Sequence, residues 1–158
     1  MLRSNWIEMR GQVFDERWRR HANRWSVYTR FAAIPAALAA GWSRVWLDWW
    51  AVAPIGSVVL WLVVNPFIFR PIDRPAHWIE KGVLGERLWL GRNEAGAVYK
   101  WSLRMLLLLG LVGLVGMIAG MVTLNLWLAI GGALVVMVAQ IVRLRRFADI
   151  YNLYISDL

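Results

Sequence analysis

The sequence predicts an all-α integral membrane protein with four membrane-crossing helices and amphipathic N-terminal, central-loop and C-terminal segments on the cytoplasmic side. Three observations predict it. The chain contains long apolar stretches almost free of internal charge. Its arginines gather in alternate connections. Finally, 59% of its 158 residues are hydrophobic and the mean hydropathy is +0.48, an apolar excess beyond what a soluble core of that size buries.

The third and fourth crossings are the clearest. Residues 103–122 carry one charge, Arg104, at the end where it can snorkel to the interface. Residues 124–142 follow almost at once, so the two form an antiparallel hairpin with a tight turn. Gly110, Gly113, Gly116 and Gly120 fall on one face of the third helix, and Ala129, Gly132, Ala133 and Ala139 make a looser small-residue stripe on the fourth. Small residues let helix backbones approach closely in lipid. These positions serve either the internal helix contact, which the reading favours, or dimerisation.

The first half is less regular. The first crossing, residues 27–47, is built around a short apolar run bracketed by Arg30 and Arg44 and containing Pro35; both arginines must snorkel for it to reach across. The competing reading is a re-entrant or surface-lying segment, which would change the parity of the topology. The second crossing, residues 49–69, is interrupted by Pro54 and Gly56, and Asn65-Pro66 reads as its end or a kink. Asp48 reads as a cap for this helix or a partner of Arg44. Trp42, Trp46, Trp49 and Trp50 between the two helices mark the outer headgroup interface.

Charge sets the orientation. Arg3, Arg10, Arg17, Arg19, Arg20, Arg24 and Arg30 precede or open the first helix; Arg70, Arg74, Lys81, Arg87, Arg92 and Lys100 lie between the second and third; Arg143, Arg145 and Arg146 follow the fourth. The first connection holds only Arg44 and the third none, which places both termini and the central loop in the cytoplasm. The net charge of +8 therefore reads as topology and lipid attraction, with no nucleic-acid partner. Sixteen of the 18 basic residues are Arg, whose planar fork suits phosphate headgroups. Residues 1–25 lack the continuous apolar core of a cleaved signal, so no processed secretory leader is expected.

Amphipathic stretches are expected at residues 2–25, 76–90 and 144–158. In the first, Leu2, Trp6, Met9, Val13, Phe14 and Trp18 oppose Glu8, Gln12, Asp15 and Arg19; in the last, Phe147, Ile150, Tyr151, Tyr154, Ile155 and Leu158 recur at helical spacing. Such helices lie on the membrane surface or dock on a partner.

Residues that could carry chemistry are few. The absence of cysteine removes disulfides, thiolate metal sites and a cysteine nucleophile. His21 and His77 have no His or carboxylate at metal-ligand spacing, so no metal site is expected. His21 and Glu86 are the candidates for acid or base work, and Arg17, Arg20 and Arg24 for holding a lipid phosphate. Glu86 falls on the apolar face of residues 76–90 and so requires a partner, Arg87 or an N-terminal arginine. Within the spans, Gln140 and Ser57 are too little for a proton or ion pathway.

The stretches HANRWSVYTRF (21–31), GWSRVWLDWW (41–50), NPFIFRP (65–71), VLGERLWL (83–90) and FADIYNLY (147–154) resemble a small membrane-protein family of bacteria and archaea, classed as a domain of unknown function. In that family Pro usually follows the asparagine at the position of Asn23, where this chain has Arg24. The resemblance implies four membrane segments in a prokaryotic cytoplasmic (inner) membrane, and no activity, cofactor or catalytic residue.

The expectation is therefore a non-catalytic accessory or scaffold subunit that packs against other membrane chains or itself. The alternatives are an enzyme or carrier for an anionic, phosphate-bearing lipid at the cytoplasmic face, and an oligomeric channel or transporter. No cofactor is demanded, though the Trp-rich interfaces leave room for a pigment or quinone.

Overall fold

The computed structural model describes residues 15–90 and 98–156, all of them helix, turn or irregular connection. The helices are α1 (Glu16–His21), α2 (Arg24–Trp42), α3 (Arg44–Leu47), α4 (Val52–Ile68), α5 (Trp78–Leu90), α6 (Lys100–Val122) and α7 (Leu126–Ser156), with a 3-10 turn at Asp48–Ala51. Three helical stretches are long and apolar enough to cross a membrane: 24–68, 100–122 and 126–156. Most of their apolar side chains face outward, among them Leu108, Val112 and Val115 of α6. Such a surface is stable in lipid and not in water.

The first stretch is folded back on itself. Asn23 opens α2 by accepting from the Trp25 N–H (3.0 Å), while its Nδ2 donates to the Arg70 carbonyl beyond α4 (3.0 Å). Arg24 therefore stands at the first position of the helix, where proline is also at home because its missing N–H would be unpaired anyway.

The expected single segment over 2–25 is broken at Ala22–Asn23, and residues 2–14 lie outside the described residues. The helix expected over residues 27–47 also ends earlier, at Trp42. Ser43 turns its hydroxyl onto the Ala40 carbonyl (2.7 Å), and residues 48–51 form the 3-10 turn with Asp48 at φ 46°, so α4 begins at Val52 rather than 49. Asp48 does not cap α4, whose N-cap Ala51 makes no side-chain bond. Arg44 reaches instead to the Met121 and Val122 carbonyls at the end of α6 (2.6 and 2.8 Å). That contact sets the two hairpin turns side by side at one end of the bundle, with Trp46, Trp49 and Trp50 exposed there.

Asn65-Pro66 does not end the second helix. Asn65 is fully buried inside α4, accepting from the Ser26 hydroxyl and donating to the Thr29 hydroxyl, both at 2.6 Å. This clasp holds the residue before Pro66 in the helical conformation that proline disfavours, and the helix continues to Ile68.

Helices α6 and α7 pair through backbone. A Cβ on Gly113 would lie 2.9 Å from the Gly132 carbonyl oxygen; one on Gly120 would meet the backbone of Ala129, and one on Gly132 that of Met117. Gly110 and Gly116 sit at ordinary contact distance, 3.8 Å from Ala139 Cβ and Gly132 Cα respectively. Ala129 and Ala133 are buried in the same seam. The turn is Thr123–Asn125, with Leu124 at φ 56° and Asn125 Oδ1 accepting from the Leu128 N–H (3.1 Å).

Residues 144–156 are no separate surface helix. They continue α7 without a break and bury Leu144, Phe147, Ile150 and Tyr151 against α5; residues 157–158 lie outside the description. Gly82 and Gly85 make this second crossing close, since a Cβ on Gly82 would lie 2.6 Å from the Leu144 carbonyl oxygen and one on Gly85 would strike the Phe147 backbone. His77 and Glu80 cap α5 together: His77 Nδ1 accepts from the Ile79 N–H (3.4 Å), and Glu80 Oε2 accepts from the Ala76 and His77 N–H groups (2.8 and 3.0 Å).

Candidate functional site

Between α2 and the α6–α7 hairpin lies a cleft of about 380 Å³, within the range that houses small-molecule ligands. Its long wall is apolar. Val27, Phe31, Ile34 and Ala37 come from α2, Leu62 from α4, Leu114 and Met117 from α6, and Val136 from α7. One end is different: Arg30, Glu86, Gln140 and Arg143 meet there, flanked by Val83 and Phe147. From Arg30 to Ala37 on one wall, and from Arg143 to Val136 on the other, the cleft runs about two helical turns, roughly 10 Å.

Three elements build the charged end. Glu86 projects from α5, where the glycine crossing presses that helix onto α7, and its Oε1 stands 3.5 Å from Arg143 Nη2. Burial pushes the Glu86 carboxyl above the ordinary carboxylate range, against the opposing pull of Arg143 and then Arg30. Arg143 also lies over the Phe147 ring at 5.7 Å. Gln140, one turn earlier on α7, shares its face and makes no side-chain hydrogen bond among the described residues.

Arg30 joins this end to α1. Its Nε donates to the Ser26 carbonyl (3.2 Å), its Nη2 to the His21 carbonyl (2.7 Å), and its Nη1 contacts His21 Nε2 at 2.5 Å. A guanidinium only donates, so His21 Nε2 must accept and the ring is neutral with its proton on Nδ1. Burial, and after it the charge of Arg30, accordingly lowers the His21 pKa to about 4. Behind His21, the Trp18 ring stands edge-on at 5.7 Å and carries the Arg87 guanidinium at 5.9 Å on its face. Arg87 is thus turned away from Glu86, and the carboxylate's partners come from α7 and α2.

Of the residues singled out in the sequence, His21 and Glu86 are brought together, with Arg30 between them. His77 is not; it is spent on capping α5. The three arginines expected to hold phosphate differ in their surroundings. Arg20 is bound by Glu16 (2.6 Å) and donates to the Phe67 carbonyl (3.4 Å), while Arg17 and Arg24 are exposed. Arg19, on the polar face of the expected N-terminal helix, is instead buried and pins the connection after α4 through the Ile72 carbonyl (2.9 Å) and Asp73 (3.5 Å). No cluster of metal-ligating side chains occurs among the described residues.

A family model described as a family of unknown function, DUF6653, matches residues 9–156. The chain belongs to that family. No curated protein and no solved structure matches it. In this DUF6653 chain the cleft is the feature that bears on function.

Arg30 and Arg143 read from the sequence only as charges that set orientation, and Gln140 only as too little for an ion pathway, yet all three line the charged end of the cleft. A usable signal existed: Gln140 and Arg143, three residues apart at the end of an apolar run, must share one face of the helix.

Proposed function

We propose that this chain is a non-catalytic accessory protein of the prokaryotic cytoplasmic membrane, crossing it four times and holding one amphiphilic molecule in the cleft. The observation that carries the reading is the cleft's polarity: about 10 Å of apolar wall leading away from one charged end. A tail fits the wall and a polar head fits the end.

The topology supports this placement. At 19 and 17 residues, α2 and α4 are each about 26–28 Å long, close to the thickness of a bilayer's hydrocarbon core. With both arms of the stretch 24–68 crossing, the arginine-rich end faces the cytoplasm and the exposed tryptophans the opposite headgroups. The head of the bound molecule then lies at the depth of the cytoplasmic headgroups. Holding rather than converting is supported by His21, whose ring is engaged by Arg30, and by the guanidiniums that flank Glu86.

Native mass spectrometry of the chain purified in mild detergent tests this. One lipid per chain is expected to survive gentle activation, and Ala37→Trp, which fills the apolar wall, is expected to lose it without loss of helicity. A bare chain in both forms, or equal retention in both, overturns the reading.

A further inference from the structure

The charged end of the cleft is built from two guanidiniums and one carboxylate, so its formal charge is +1 when Glu86 is ionised and +2 when it is protonated. The donors are not equally free. Arg30 spends an N–H from each of its three nitrogens on Ser26 and His21. Arg143 has one ion-pair contact, to Glu86, at 3.5 Å, longer than the usual charge-assisted bond. The Gln140 side chain on the same face makes no hydrogen bond among the described residues. Most of the unspent donor capacity of the cleft therefore sits on α7, where Arg143 and Gln140 share a face, and the group in its way is Glu86.

We propose that the cleft selects an amphiphile whose oxyanion head carries a net negative charge, which displaces Glu86 from Arg143 and takes Gln140 as its second donor. This rests on the cleft being an amphiphile site and adds the class of the head and the residue it competes with. On displacement the Glu86 carboxylate accepts one proton from solvent, so anion and proton enter together and the charge of the cleft stays unchanged. Burial already favours the protonated form of Glu86. The ionisable groups around Glu86 are Arg143 from α7, Arg30 from α2, and His21 of α1 behind Arg30; α4 and α6 contribute only Leu62, Leu114 and Met117 to the lining. Affinity for an anionic head thus falls as pH rises, by up to about tenfold per unit over the range in which Glu86 titrates.

The test is a binding titration of the detergent-solubilised full chain with two dansyl-labelled alkyl probes of equal tail length, a sulfonate and a phosphocholine. The sulfonate keeps its charge between about pH 5 and about pH 8, so any pH dependence belongs to the protein. The sulfonate is expected to bind about tenfold tighter than the phosphocholine near pH 6, and more weakly toward pH 8. Glu86→Gln should remove the pH dependence and tighten sulfonate binding at pH 8 by about tenfold. Arg143→Gln should bring the two probes together. Gln140→Leu leaves the ion pair intact and should weaken the sulfonate about threefold, without affecting the phosphocholine.

Equal affinity for the two probes, or a Glu86→Gln variant that titrates like the parent, overturns the inference and leaves the amphiphile reading standing. Full displacement of the sulfonate by millimolar inorganic phosphate also overturns it, because the head alone would then suffice. Failure of both probes to bind parent and Ala37→Trp differently removes the amphiphile reading itself.

Discussion

The two hairpins solve the same problem in opposite ways. Between α6 and α7 the side chains are removed: Gly113, Gly120, Gly132 and Ala129 bring backbone onto backbone and leave no room for anything else. Between α2 and α4 polar side chains are added: Ser26, Asn65 and Thr29 tie one end of the pair with two 2.6 Å bonds. Lipid offers helices no hydrophobic drive to associate, so close packing and hydrogen bonds are the available means. The difference decides where a ligand could go. The backbone seam has no space for a side chain at Gly113, Gly120 and Gly132, whereas α2, tied near its start to α4, leaves its other side facing the cleft against α6 and α7.

The comparison can be broken most sharply at the seam. Gly132→Leu would drive a side chain into the backbone of Met117 and Gly113, and is expected to cost at least about 3 kcal/mol or abolish folding, read as thermal unfolding in detergent. Its neighbour supplies the control. A Cβ on Gly131 meets nothing within 4 Å, so Gly131→Ala should be neutral or stabilise by up to about 1 kcal/mol. Equal losses from both would mean that the seam is not what holds the hairpin.

The clasp should matter less. Asn65→Leu removes both bonds but leaves the Thr29 hydroxyl its bonds to the Trp25 and Ser26 carbonyls, so a cost of about 1 kcal/mol is expected. A loss as large as that of Gly132→Leu would make the polar clasp the principal joint and reverse the comparison.

The last effect is read against pH and concerns His21, at the charged end. Its folded pKa of about 4 lies below its value of 6.5 in a solvated chain, so the unfolded state binds more protons between those values. The stabilisation is present above about pH 6.5 and is lost as pH falls toward 4, with a slope of at most about 1.4 kcal/mol per unit, reduced by the solvent that reaches the ring. Glu86, raised rather than lowered, works in the opposite direction. The difference between parent and His21→Gln melting temperatures across this range isolates the histidine. A difference that does not change with pH would show that the ring titrates in the folded state as it does in water.

Much of the architecture was legible because its causes are local. Apolar runs of bilayer length, a three-residue turn at Thr123–Asn125 and glycines recurring on one helix face can all be counted along the chain. Asn65 was misread because the rule that proline ends helices is also local, and the Ser26 and Thr29 hydroxyls that override it lie 39 and 36 residues away. The tail reads as an amphipathic segment that follows the fourth helix and either lies on the membrane surface or docks on a partner, because its apolar spacing does not name what covers it. Its apolar face is instead covered by α5, through a glycine crossing at Gly82 and Gly85 whose partner no spacing reveals.

The sequence by itself determined the class of molecule and the residues at stake: an all-helical chain made for lipid, with its charge concentrated at the helix ends and Glu86 left on an apolar face in need of a partner. These follow from hydropathy and helical periodicity, which each segment carries alone. Only the tertiary structure decided that the partner is Arg143 rather than Arg87, that Arg30 links His21 to the cleft, and that Arg20 is already bound. An ion pair across helices depends on how those helices cross, and here two backbone contacts at Gly82 and Gly85 set the crossing that brings Glu86 to α7.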